Sequence, residues 1–156
     1  MSEEPIYIGS EQASLTIRPP DIVDLEINHI RLPIELRAEN LIAGGAIELE
    51  GRGGWPAAFL DFLDDLAADW RGWEGTKDWT DDSDAVSVRA KHNHMSQLLV
   101  TVSLRPFCGN RDRGTWELEV DVPQEAGRMS DVARAARFMF ASAGVPSTAL
   151  HRDPTK

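Results

Sequence analysis

Hydrophobic positions in the first third of the chain alternate with polar ones at period two, the spacing of a half-buried strand. Leu15 and Ile17 begin the pattern, and Pro19-Pro20 interrupts it. From Ile22 to Arg37 the alternation resumes, but its parity changes partway. Leu25 and Ile27 share one parity, whereas Ile30, Leu32, Ile34 and Leu36 share the other. Side chains alternate faces along a strand, so the change predicts a bulge or turn near Asn28-His29. Pro33 falls on the polar side and has no N–H to give a ladder, which predicts an edge position there. Gly44-Gly45 reads as a break, with a further strand from Ala46 to Glu50.

After Gly51-Arg52-Gly53-Gly54 the period changes to that of a helix, and Pro56 suits its first turn. From Ala57 to Trp70, the residues Phe59, Phe62, Leu63, Leu66 and Trp70 gather on one face. Asp61, Asp64, Asp65 and Asp69 gather on the opposite one, and Gly72 is a C-terminal stop. Alternation then returns in Val86–Ala90, in Leu98–Leu104 and in Trp116–Val122. His92-Asn93-His94-Met95 makes the first of the intervening turns, and Pro106 to Gly114 a longer polar loop. Glu117, Glu119 and Asp121 lie opposite the last apolar set, so one sheet face meets solvent.

Ser130 is placed to cap a closing helix. Val132, Ala136, Met139 and Ala143 form its apolar stripe, Arg134 and Arg137 turn outward, and Gly144 and Pro146 end it. The pattern predicts an α+β fold: a single antiparallel β-sheet with two helices packed on one face. Residues 1–146 form one domain, and 147–156 a flexible tail. No repeat of 20–50 residues is visible.

Composition supports a globular chain and narrows its partners. The 156 residues are 42% hydrophobic and 27% charged, enough for one domain with a sizeable core. No apolar run approaches the roughly 18 residues of a membrane helix. The start, Met-Ser-Glu-Glu-Pro, has no apolar segment of the secretory kind, and Cys108 is the single cysteine. A cytoplasmic protein without disulfides or cysteine-held metal is expected. The formal net charge of −10 opposes phosphate backbones, so nucleic acid is not an expected partner; with no spanning run, nor is a membrane. A basic protein partner is electrostatically favoured.

Candidate chemistry is sparse. His92 and His94 form a His-x-His pair, but two further ligands for a metal are not evident, and turns commonly carry histidine. Asp78, Asp81, Asp82 and Asp84 crowd together, yet an EF-hand loop counted from Asp78 meets Thr80, Ser83 and Arg89 at positions three, six and twelve. That spacing describes a hydrated turn. No Gly-x-Ser-x-Gly, Walker loop or dinucleotide fingerprint occurs, and nothing pairs Cys108 with a base. No cofactor is expected.

Two features remain. An acidic helix stripe is ordinarily a solvated face, and its functional alternative is a docking surface formed by Asp61, Asp64, Asp65 and Asp69. Tryptophans cluster as well: Trp55, Trp70, Trp73 and Trp79. Their ordinary place is the core, Trp70 on the helix face and Trp73 and Trp79 pinning the loop back onto the sheet. One or two left exposed, Trp73 and Trp79, would instead anchor a ligand or partner.

From Ala58 through Val102 the chain resembles an uncharacterised family of small bacterial proteins known only as a domain of unknown function. The resemblance is carried by Phe59-Leu60-Asp61-Phe62-Leu63, by Trp-Arg-Gly-Trp-Glu-Gly at Trp70–Gly75, and by the paired strands Val86–Ala90 and Leu98–Leu104. It implies no activity. In architecture and size the chain is also similar to immunity proteins that neutralise polymorphic bacterial toxins. The expectation is therefore a non-enzymatic protein-binding domain of immunity type. The alternative is a small-ligand site or enzyme between the sheet and the Trp-rich loop, with Arg71, Glu74 and Arg89 converging.

Overall fold

The computed structural model describes residues 4–51, 55–105 and 116–151. Among these residues, two antiparallel sheets of nine strands in all replace the single sheet predicted from the pattern. The first contains β1 (Ile6–Gly9), β2 (Ser14–Ile17), β3 (Ile22–Asp24), β4 (His29–Ala38) and β5 (Leu41–Glu50). Helix α1 (Trp55–Ala68) follows. The second sheet runs β6 (Thr76–Thr80), β7 (Val86–His92), β8 (Gln97–Leu104) and β9 (Leu118–Glu125) in simple order. Helix α2 (Met129–Ser142) and the short α3 (Ser147–Leu150) close the described chain. Alternation assigns each residue a face but does not name its neighbouring strand, which is why the pattern suggested one sheet.

In the first sheet β4 is the centre. β5 pairs with one of its edges over the full length, and β2 and β3 share the other, with β1 outside β2. The parity change is a turn: Asn28 takes a left-handed φ of 52° between β3 and β4. Pro33, expected on an edge, sits in this central strand. Its carbonyl accepts from the Arg18 N–H at 2.8 Å. A strand residue's N–H and C=O point the same way, so the missing donor faces Arg18, just past the end of β2, where this pairing stops. Gly44-Gly45 does not break β5 either. A Cβ on Gly45 would stand 2.7 Å from Leu104 Cδ1, so glycine there admits the close approach of the second sheet.

The inner faces of both sheets and the apolar faces of α1 and α2 share one core. Leu32, Leu36, Ile47, Leu60, Val102 and Phe140 are among its fully enclosed members. Two polar seams join the sheets. Asp81, 5% exposed, follows β6, and its Oδ1 accepts the N–H groups of Ala85 and Val86 at 3.0 and 3.1 Å. Its Oδ2 accepts from the Glu48 N–H of β5 at 2.9 Å and from the Ser83 hydroxyl at 2.6 Å. At the other seam the Gly9 N–H of β1 donates to Gln124 Oε1 of β9 at 2.8 Å. Asp81 is thus a buried fastener, not one of a row of hydrated carboxylates.

Other boundaries shift for local reasons. β1 and β6 were not anticipated; β6 carries only one apolar side chain, Trp79, in five residues. Trp70 lies beyond the end of α1 and is 46% exposed rather than on its buried face. Trp116 precedes β9 and is exposed. A 3-10 turn over Ala126–Arg128 leads into α2, so Arg128 holds the cap position expected for Ser130. Of the segment expected to be a loose tail, 147–150 is helical and buries Leu150. Cys108 and the whole of its loop, 106–114, lie outside the described residues.

Candidate functional site

α1 buries Leu60, Leu63 and Leu66 and turns Asp61, Asp64 and Asp65 toward its flank, as the 3.6-residue period requires. β6 runs beside that flank. Along β6, Lys77 and Trp79 share one parity and point toward the protein, while Asp78 lies on the other. The Trp79 ring packs at 4.9 Å from Phe59 and 6.5 Å from Phe62, the latter pair stacked with 29° between planes. A groove of about 610 Å³ results. Its rim carries Asp61, Asp64, Asp65 and Asp78, and its floor Phe62 and Trp79. Ala58 and Ala68 line it too, and their small side chains leave the space open.

Two cations hold the acidic rim in place. Lys77 Nζ lies 2.5 Å from Asp69 Oδ2 and 3.2 Å from Asp65 Oδ1, and 4.8 Å above the Trp73 ring. Arg137 of α2, expected to face outward, ion-pairs with Asp64 and donates to the Leu150 carbonyl at 2.9 Å. Among the described residues, Asp64, Asp65 and Asp69 thus meet these two cations.

Burial disfavours the charge of Lys77, but the hydrogen bonds it donates to Asp69 and then Asp65 outweigh that, so its pKa is raised above 10.5. A raised folded-state pKa stabilises fully below the unfolded value and loses that contribution as pH climbs through the folded value. The urea midpoint should therefore fall as pH rises beyond about 10.5. Lys77→Met should cost about 1–2 kcal/mol at neutral pH and remove that extra alkaline loss. Unfolding curves measured from neutral to alkaline pH, in both proteins, check it.

Of the six residues singled out as partner-binding from sequence, the groove gathers Asp61, Asp64, Asp65 and Trp79. Asp69 joins them through Lys77. Trp73 stands on the far side of Lys77, half-buried against the core, with its Nε1 lacking a partner among the described residues. Phe62, Lys77, Asp78 and Arg137 were not assigned to a site. The shared parity of Lys77 and Trp79 was the available clue.

The remaining candidates have structural roles. His92 is buried; its Nε2 lies 2.7 Å from the Trp70 carbonyl, and its Nδ1 accepts the His94 N–H at 2.7 Å. Both ring nitrogens are thus engaged by backbone, which moors the Trp-rich loop to the β7–β8 turn. Arg71, Glu74 and Arg89 do not converge. Arg71 lies over the Trp70 ring at 5.0 Å, the Glu74 side chain is 96% exposed, and Arg89 is on the outward parity of β7.

The molecule is therefore a two-sheet α+β domain with an acid-rimmed, aromatic-floored groove beside its first helix. The chain belongs to DUF6228, a family of unknown function, whose model matches residues 22–143. Among solved structures it is similar to that described as the plant transcriptional regulator PBF-2, with a TM-score of 0.51 and 10% identity. The match covers 100% of this chain and 91% of that one; at such identity it speaks for the fold alone. No curated protein sequence matches. No helix among the described residues is long and apolar enough to cross a membrane.

Proposed function

We propose that the chain is a non-enzymatic protein-binding domain that receives a basic segment of a partner protein in the groove between α1 and β6. The supporting observation is the combination of Asp61, Asp64, Asp65 and Asp78 around a floor of Phe62 and Trp79. Lysine and arginine side chains carry an apolar stem and a charged head. Their stems would cover the aromatic floor and their heads would meet the carboxylates, with an added cation–π contribution at Trp79. An immunity-type role is the form of this function in which the basic partner is a toxin held inactive, and it requires a toxin gene beside this one.

The test is charge reversal. Asp61→Lys/Asp78→Lys should weaken capture of the partner from the native host at least tenfold, about 1.4 kcal/mol. Wild type should release it as salt rises. Glu119→Lys/Asp121→Lys, on the outer face of the second sheet, should leave capture intact. Equal retention by the groove variant, or a partner with no basic surface, would refute the proposal.

A further inference from the structure

We infer that a second cleft, at the seam where β1 meets β9 beside the first turn of α2, binds a neutral, hydroxyl-rich ligand of the mono- or disaccharide class. The cleft measures about 750 Å³, within the roughly 300–1,000 Å³ usual for small-molecule sites. Its chemistry differs from the rest of an acidic protein. Hydroxyl and carboxamide groups dominate: Tyr7, Ser10, Gln12, Gln97 and Gln124.

The charged side chains that reach the cleft are each paired. Arg128 lies 3.3 Å from Glu125, and Asp131 lies 3.3 Å from Arg134. With each of these charges offset by a neighbour of opposite sign, the cleft presents no net charge for an ionic ligand to select. A carboxamide offers an acceptor and two donors in one plane, and each sugar hydroxyl is both donor and acceptor. Vicinal hydroxyls and glutamine side chains therefore satisfy one another without any net charge.

Preorganisation is visible at two members. Gln124 is 6% exposed, its Oε1 held by the Gly9 N–H at 2.8 Å and its Nε2 donating to the Glu125 carbonyl at 3.2 Å. An amide nitrogen has two N–H groups, so one donor is left over among the described residues. Tyr7 is 50% exposed, yet its hydroxyl donates to the Ser10 carbonyl at 2.8 Å, which steadies the ring. A steadied aromatic face beside amide groups suits the C–H face of a pyranose.

The experiment is a titration of the full chain with maltose, cellobiose, lactose and diacetylchitobiose, with glucose 6-phosphate as the anionic comparison, followed by amide NMR shifts. At least one neutral sugar should move the signals of Tyr7, Gln97 and Gln124. Gln97→Ala and Tyr7→Ala should each weaken that binding about tenfold, and Tyr7→Phe, which keeps the ring, by no more than about threefold. Both positions are exposed, so these variants should melt as wild type does. Asp61→Lys/Asp78→Lys should leave sugar binding unchanged, which separates this cleft from the groove. No shift with any neutral sugar, a response confined to the phosphate, or equal affinity in the variants would each overturn the inference.

Discussion

Replacing Asp81 with alanine is expected to lower the unfolding free energy by about 4 kcal/mol, because four donors lose one acceptor at once. Three are backbone N–H groups, of Glu48, Ala85 and Val86, and the fourth is the Ser83 hydroxyl. A buried donor left without a partner costs about 1–3 kcal/mol, and some of these would reach water or each other. Ser83 Oγ already lies 3.3 Å from the Ala85 N–H and would cover that group in part. Asp81→Asn keeps one carbonyl oxygen and should cost about half as much. Urea unfolding of the three proteins decides the matter. A loss under about 1 kcal/mol for the alanine variant would mean that Asp81 does not fasten β5 to the β6–β7 turn.

Gly9→Ala is expected to be comparably damaging, again about 4 kcal/mol, for a steric rather than a polar reason. Gly9 has φ 118°, where an L side chain is strained, and an added Cβ would stand 2.4 Å from the Ala13 carbonyl oxygen and 2.5 Å from Val122 Cγ1. One of those neighbours is backbone in the β1–β2 hairpin and cannot swing aside. Backbone strain accounts for about 1–3 kcal/mol and overpacking for a similar amount. Gly44→Ala is the matched control. Its Cβ would come no nearer than 4.0 Å to the Ile34 carbonyl oxygen, so it should change stability by less than about 1 kcal/mol. Thermal or urea unfolding of the pair separates a seam that demands glycine from a strand that merely contains one.

Both effects fall on the seams between the sheets, where the sequence was least legible. Alternation placed the apolar residues of β2, β4, β7 and β8 correctly, because period two is a property of a single strand. The amphipathic face of α1 was equally plain, and Asp61, Asp64 and Asp65 lie on the flank that the helical period predicts. Which strand joins which sheet is a long-range matter that no local pattern encodes. Gly45 illustrates the difficulty: it resembles a breaker until Leu104, 59 positions away in sequence, is seen against it. Pro33 resembles an edge residue until the gap between β2 and β3 is known.

The candidate site was legible to a similar depth. Its carboxylates follow from one helix, but Asp78 and Trp79 arrive from β6, a strand with a single apolar residue and thus almost no periodic signal. Arg137 and Lys77 resembled ordinary surface cations, and only tertiary contact ties them to Asp64, Asp65 and Asp69. Placing Trp70 on the buried helix face had the same origin. Tryptophan suits a core or an interface equally well in composition, and geometry puts Trp73 against Lys77 and His92 while leaving Trp70 outside.

The central claim is that the flank formed by α1 and β6 is where a basic partner lands. Hydrogen exchange of the full chain, alone and bound to the partner it retains from its native host, measures that location directly. Slowed exchange should concentrate in residues 58–68 and 76–80, with the outer face of β7 and β8 unchanged. Protection confined to the second sheet's outer face or to the free side of β3, with α1 and β6 exchanging as before, would contradict it.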